Sequence, residues 1–235
     1  MKYIYGTLVI IALAFTLKSE SQEFKGYFIR MDDYSVYKYE ENQFILKKVG
    51  FHLKRGLFNE GEAKVKDIYT EEGEYYGFDI IKNQHGEEVR RRKVNIKNFG
   101  NSIKIISLRS QNSQYLKKIS ETDFLQYKYN ASNMLKGLWK RKSDNSVYNF
   151  NTKEAILDRC GSNLGKIFSP GEIKLSDLRK VDNGIFLAKD KFKSKSSGRI
   201  WTETAILFMN YNGNIEVRYK KDNYELAYVL EPVSL

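Results

Sequence analysis

The chain has 235 residues, 41% of them hydrophobic and 14% aromatic, with no low-complexity tract. That composition excludes a disordered or fibrous protein and allows one or two packed domains. A formal charge of +11 favours anionic partners, and the single cysteine, Cys160, excludes an internal disulfide.

Residues 1–21 read as an export signal. Lys2 supplies the positive start, and Ile4 to Leu17 form a mainly apolar run. The run is shorter than the roughly 20 residues a membrane-spanning helix needs. Ser19 and Ser21 provide small residues before a cleavage placed near Ser21/Gln22. The mature chain is expected to be secreted or periplasmic, with no transmembrane segment after cleavage.

Beyond that point the chain is written twice. Tyr34 to Gly50, "YSVYKYEENQFILKKVG", returns as Asn145 to Gly161, "NSVYNFNTKEAILDRCG". Farther along, "FNEGEAKVKDI" (Phe58 to Ile68) returns as "FSPGEIKLSDL" (Phe168 to Leu178). Val94 aligns with Ile206 and Asn98 with Asn210. The first unit is placed at 22–118, a connector at 119–134 and the second unit at 135–235. The connector contains Phe124, Leu125, Tyr127 and Tyr129, too apolar for a free linker, and is expected to pack on one unit; Ser120 followed by Asp123 is the pattern that caps a short helix there.

Each unit reads as β. Val, Ile, Tyr, Phe and Thr dominate the periodic segments, types that fit a pleated, half-buried surface. Turns are marked at Gly100-Asn101, Asn212-Gly213 and Asp182-Asn183-Gly184. In Arg199 to Asn210, Ile200, Thr202, Thr204, Ile206 and Phe208 share one face. The fold class is all-β: two tandem antiparallel meanders, each a small barrel or sandwich. The alternative is one pseudo-symmetric barrel built from both copies.

Candidate binding residues follow from charge placed on strands. "EVRRRKVNIK" sets Arg90 and Arg92 on the face of Val94 and Ile96. If that face is inward, two guanidiniums reach the interior or its rim, where a carboxylate or phosphate is bound bidentately. The second copy is read as placing Thr202 and Thr204 there. "AKDKFKSKS" spaces Lys189, Lys191, Lys193 and Lys195 at every second residue, a stripe that either protects a sheet edge or docks an anionic polymer. The repeated Glu62/Glu172, Lys64/Lys174 and Asp67/Asp177 read as turns and surface ion pairs, with catalysis by paired carboxylates a weaker alternative. Cys160 reads as a half-buried residue at a strand end. Only His52 and His85 occur, at no metal-ligand spacing, so neither a metal nor a cofactor is expected.

Gly137-Leu138-Trp139 resembles the opening strand of lipocalin-like (calycin) barrels, where a Gly-x-Trp packs its tryptophan across the barrel floor. Gly26-Tyr27-Phe28 is a degenerate version in the first copy. The resemblance implies a barrel holding a small apolar ligand. It brings Trp139 into the candidate ligand-binding set with Arg90 and Arg92, in a structural floor role.

The expected function is non-catalytic binding by an exported protein. The partner is either a small apolar or amphipathic anion held in a barrel, or an anionic envelope polymer or protein met by basic faces. No nucleic-acid partner is expected, because export argues against one and no recognition module is visible.

Overall fold

The computed structural model describes residues 24–133 and 135–233. The expected signal segment, residues 1–21, and the cleavage point near Ser21/Gln22 lie outside the described residues. Among the described residues, no helix is long and apolar enough to cross a membrane.

The first unit contains β1 (Tyr27–Arg30), β2 (Val36–Glu40), β3 (Gln43–Lys48), β4 (Ala63–Glu71), β5 (Glu74–Lys82), β6 (Glu88–Asn98), β7 (Ser102–Ser107) and β8 (Ser113–Ile119). Each strand pairs antiparallel with the next, and β8 returns to β1 to close the barrel. The second unit repeats the plan with β9 (Gly137–Arg141), β10 (Val147–Phe150), β11 (Ala155–Arg159), β12 (Ile173–Asp182), β13 (Ile185–Lys193), β14 (Ile200–Met209), β15 (Ile215–Tyr219) and β16 (Leu226–Pro232). There β16 closes against β9. The fold is therefore two tandem up-and-down barrels, and the single pseudo-symmetric barrel is not formed.

The backbone repeats as closely as the sequence. Gly61 and Gly171 both turn at φ +88°. Asp67 and Asp177, at φ +51° and +53°, occupy the left-handed position of a bulge that breaks the register of β4 against β5 and of β12 against β13. The recurring glycine and aspartate thus serve chain geometry, and Glu62 and Glu172 accept the N–H groups of Asn59 and Ser169 at the same turns. Of this repeated set, the lysines depart from expectation. Lys64 and Lys174 are buried inside their barrels.

The pairing also corrects the alignment of the two copies along β6 and β14. Val94 faces Ser107 and Ala205 faces Tyr219; Ile96 faces Ile105 and Leu207 faces Val217. Val94 therefore corresponds to Ala205, not Ile206. The inward face of β14 carries Trp201, Glu203, Ala205, Leu207 and Met209, so Arg90 and Arg92 correspond to Trp201 and Glu203 rather than Thr202 and Thr204. Both faces of β14 bear apolar residues, so alternation alone does not choose between them.

Each eight-stranded interior is filled by side chains over most of its depth, including Phe28, Phe44 and Ile103 in the first barrel and Phe150, Phe186 and Leu207 in the second. One end of each barrel is closed. Phe24 plugs the first among Tyr39, Phe44 and Tyr75, with ring centroids 5.2, 5.6 and 4.8 Å away. In the second, the segment expected as a connector forms the helix Glu121–Ser132, which buries Phe124, Tyr127 and Ala131. The Tyr127 hydroxyl donates to the Met209 carbonyl at 3.3 Å, and Lys180 Nζ donates to the Ser132 carbonyl at 2.5 Å.

Candidate functional site

The opposite end of each barrel is polar. It carries the turns that follow β1, β3, β5 and β7, and their counterparts after β9, β11, β13 and β15. A buried aspartate stitches two of these turns together in each copy. Asp33 accepts the N–H groups of Ser35 and Leu53; Asp144 accepts those of Ser146 and Leu164. In the second copy Ser146 Oγ also accepts the Gly161 N–H at 2.8 Å.

Just inside, each barrel buries a lysine–aspartate pair: Lys64 with Asp79, and Lys174 with Asp190. The lysines also donate to the Ile80 and Lys191 carbonyls, both at 2.6 Å. Burial pushes each ammonium below the ordinary lysine range, against the opposing pull of its aspartate.

The second barrel elaborates this pair. Asp190 accepts hydrogen bonds from the hydroxyls of Tyr219 at 2.6 Å and Tyr228 at 3.0 Å, besides Lys174. Burial first, then the Asp190 charge, raises the pKa of both tyrosines and of Tyr148. The Lys174 ammonium lies 5.4 Å from the Phe168 ring centroid and 4.7 Å from that of Phe192. Arg141 sits with its guanidinium 4.5 Å from the Tyr228 centroid. Arg141, Lys174, Phe168, Phe192, Tyr219 and Tyr228 border a cavity of about 230 Å³, which Lys193 and Ile167 also reach. Phe192 stacks on Trp201 at 5.6 Å, extending the aromatic wall toward solvent.

In the first barrel the matching positions differ. By strand register, Ser107 and Gln114 stand where the second barrel has Tyr219 and Tyr228, and Ile81 stands where it has Phe192.

The residues singled out from sequence divide between the units. Arg92 is half-buried, opposite Asp79 in the ladder, and its charge adds to the lowering of the Lys64 pKa. Arg90, one pleat farther out opposite Ile81, is exposed. Trp139 lies at the closed end of the second barrel. It is 8% exposed, donates Nε1–H to the Lys136 carbonyl at 3.1 Å and packs edge-on against Phe150. It borders the helix-side cleft with Asn130 and Pro232, away from the Arg141 cavity. Lys189 and Lys191 point outward from β13, Lys193 at its end borders the cavity, and Lys195 lies in the turn after it. β13 is paired on both sides, so the stripe protects no sheet edge. Lys189 forms a surface ion pair with Asp177 at 3.1 Å. Cys160 is partly buried just after β11, and burial, with Glu172 and Asp144 nearby, pushes its thiol up and away from reactivity.

Sequence reasoning missed Lys174, Asp190, Tyr219, Tyr228 and Arg141. A signal for the buried pair was present. Asp79 and Asp190 recur although their neighbours change from Phe78 and Ile80 to Lys189 and Lys191. No protein-family model, no curated protein and no solved structure matches this chain.

Proposed function

We propose that the chain is exported and works as a non-catalytic, lipocalin-like binding protein whose second barrel takes a small amphipathic anion at its polar end. One observation carries this reading: cations from Arg141, Lys174 and Lys193 and rings from Phe168, Phe192, Tyr219 and Tyr228 converge on one cavity of about 230 Å³. A few polar groups among aromatic walls is the usual make-up of a ligand site, and the volume suits a small occupant. Lys174, Tyr219 and Tyr228 are tied to Asp190, an arrangement that holds protons in place and favours binding over chemistry.

Native mass spectrometry of the exported chain, followed by denaturation of the same sample, tests this. The expected result is an added mass that disappears on denaturation and is missing from Arg141→Gln. A bare mass from both proteins overturns the reading. N-terminal sequencing of the same material is expected to start near Gln22.

The outward Lys189 and Lys191, with Lys195 in the following turn, support a second reading, in which the basic outer face docks an anionic envelope polymer. It predicts salt-sensitive retention on heparin that falls when Lys189, Lys191 and Lys195 are changed to Ser, whether or not the cavity is loaded.

A further inference from the structure

The two copies differ at one arginine, and the difference names the ligand's headgroup. Arg30 and Arg141 end the first strand of their barrels. Each holds Nε 3.9 Å from the same oxygen of the same buried aspartate: Asp33 Oδ1 in one copy and Asp144 Oδ1 in the other. The guanidinium thus stands in one place in both units. In the first copy its free edge is taken by the chain itself. Asp32 Oδ1 lies 2.5 Å from Arg30 Nε, and Asp32 Oδ2 accepts from Nη2 at 2.5 Å. In the second copy Ser143 replaces Asp32. Nε is buried without a well-aligned hydrogen bond in both copies, but only Arg30 has a second carboxylate, Asp32, at that edge; the Arg141 side chain lines the cavity instead.

Resting on the function proposed above, we infer that the cavity takes a small aromatic monocarboxylate, its carboxylate meeting the edge of Arg141 that Asp32 covers on Arg30. Asp32 shows what the site accepts: a planar, two-oxygen, singly charged group matched to the guanidinium fork. Charge points the same way. Arg30 faces two carboxylates, Asp32 and Asp33, whereas Arg141 faces Asp144 alone. One added carboxylate reproduces the first copy's balance. A phosphate, carrying about −1.5 to −2, brings surplus negative charge toward Asp144 and Asp190. The body of the ligand lies among Phe168, Phe192 and Tyr219, where offset and edge-on ring packing is available. An apolar cavity of roughly 150 Å³ admits benzene, so about 230 Å³ suits a single ring with a short acidic chain.

The test is calorimetric titration of the full chain with phenylacetate, with phenyl phosphate and the neutral 2-phenylethanol as comparison probes. Phenylacetate is expected to bind one per chain and more tightly than either comparison compound. Ser143→Asp, which installs the first copy's own carboxylate, is expected to weaken phenylacetate binding roughly ten- to hundredfold, the scale of a lost charge-assisted pair. A thermal melt at or above that of the parent shows that this variant folds, as the first copy's use of aspartate leads one to expect. Undiminished binding to Ser143→Asp overturns the inference. Preference for phenyl phosphate also overturns it but leaves the anion-binding function standing. Failure of both anions to bind, or equal binding of 2-phenylethanol, overturns both.

Discussion

Lys174 and Asp190 are the residues on which the second barrel's polar end is organised. Asp190 is fully buried, and its two oxygens serve three donors. Removing one partner of a buried ion pair leaves the other charge uncompensated, a cost of about 3–5 kcal/mol. Asp190→Ala is therefore expected to destabilise its barrel by that amount in urea unfolding. It should cost more than Asp79→Ala, because it also strips the acceptor from Tyr219 and Tyr228. Replacing both members, Lys174→Met with Asp190→Leu, is expected to recover most of the loss. Gly161 is a residue-scale constraint of another kind. A Cβ there would lie 1.6 Å from the Asp144 carbonyl oxygen, so the two stitched turns meet backbone to backbone. Gly161→Ala is expected to cost about 1–3 kcal/mol or more, with the loss read as a lowered urea midpoint.

Among the elements, the helix Glu121–Ser132 is the one whose docking the sequence left open. Ser120 and Asp123 mark a short helix and Phe124 and Tyr127 mark packing; which barrel end it covers follows from where those rings are buried. The approach is close at Gly184, which turns at φ +72° and would place a Cβ 3.0 Å from Ala131 Cβ. Gly184→Ala carries a left-handed penalty of about 1–2 kcal/mol and pushes on the helix as well. Faster hydrogen exchange across Glu121–Ser132 is the expected outcome. Adding Ala131→Gly should slow that exchange again without restoring the full stability, since it relieves the crowding and not the backbone strain. β14 teaches the complementary lesson. Its strand character was plain from alternation, but its inward face was not, because Ile206 and Phe208 on one side are as apolar as Leu207 and Met209 on the other.

Over the whole molecule, the two barrels share a frame and differ in what their polar ends contain. That difference has an alkaline signature. Tyr148, Tyr219 and Tyr228 in the second barrel have pKa values raised first by burial and then by Asp190. In the first barrel, burial and Asp33 raise Tyr37. Stability gained by keeping such tyrosines protonated is complete below their ordinary pKa near 10 and is lost as pH rises beyond it. Each barrel also has one lysine held low, Lys64 or Lys174, which acts in the opposite sense and does so once per barrel. The second barrel is therefore expected to unfold first in alkali. Trp139 and Trp201 both belong to it, so tryptophan fluorescence reports on that barrel alone. Its transition should precede the loss of β-sheet circular dichroism from the first barrel; the reverse order would show that the tyrosine cluster does not govern alkaline stability.

The duplication, the β character of both units and their turns were set by the sequence itself, because these depend on local physics: two-residue alternation, left-handed glycines and short hairpin spacings. The tertiary structure decided what lies inside. Lys64 and Lys174 look like surface lysines in their strands; pairing with the next strand carries each to its aspartate, and closure of the barrel buries the pair. The site joins Arg141 of β9, Lys174 of β12, Phe192 of β13, Tyr219 of β15 and Tyr228 of β16, which no spacing rule connects. Register and closure bring them together, and both are properties of the paired strands rather than of any one of them.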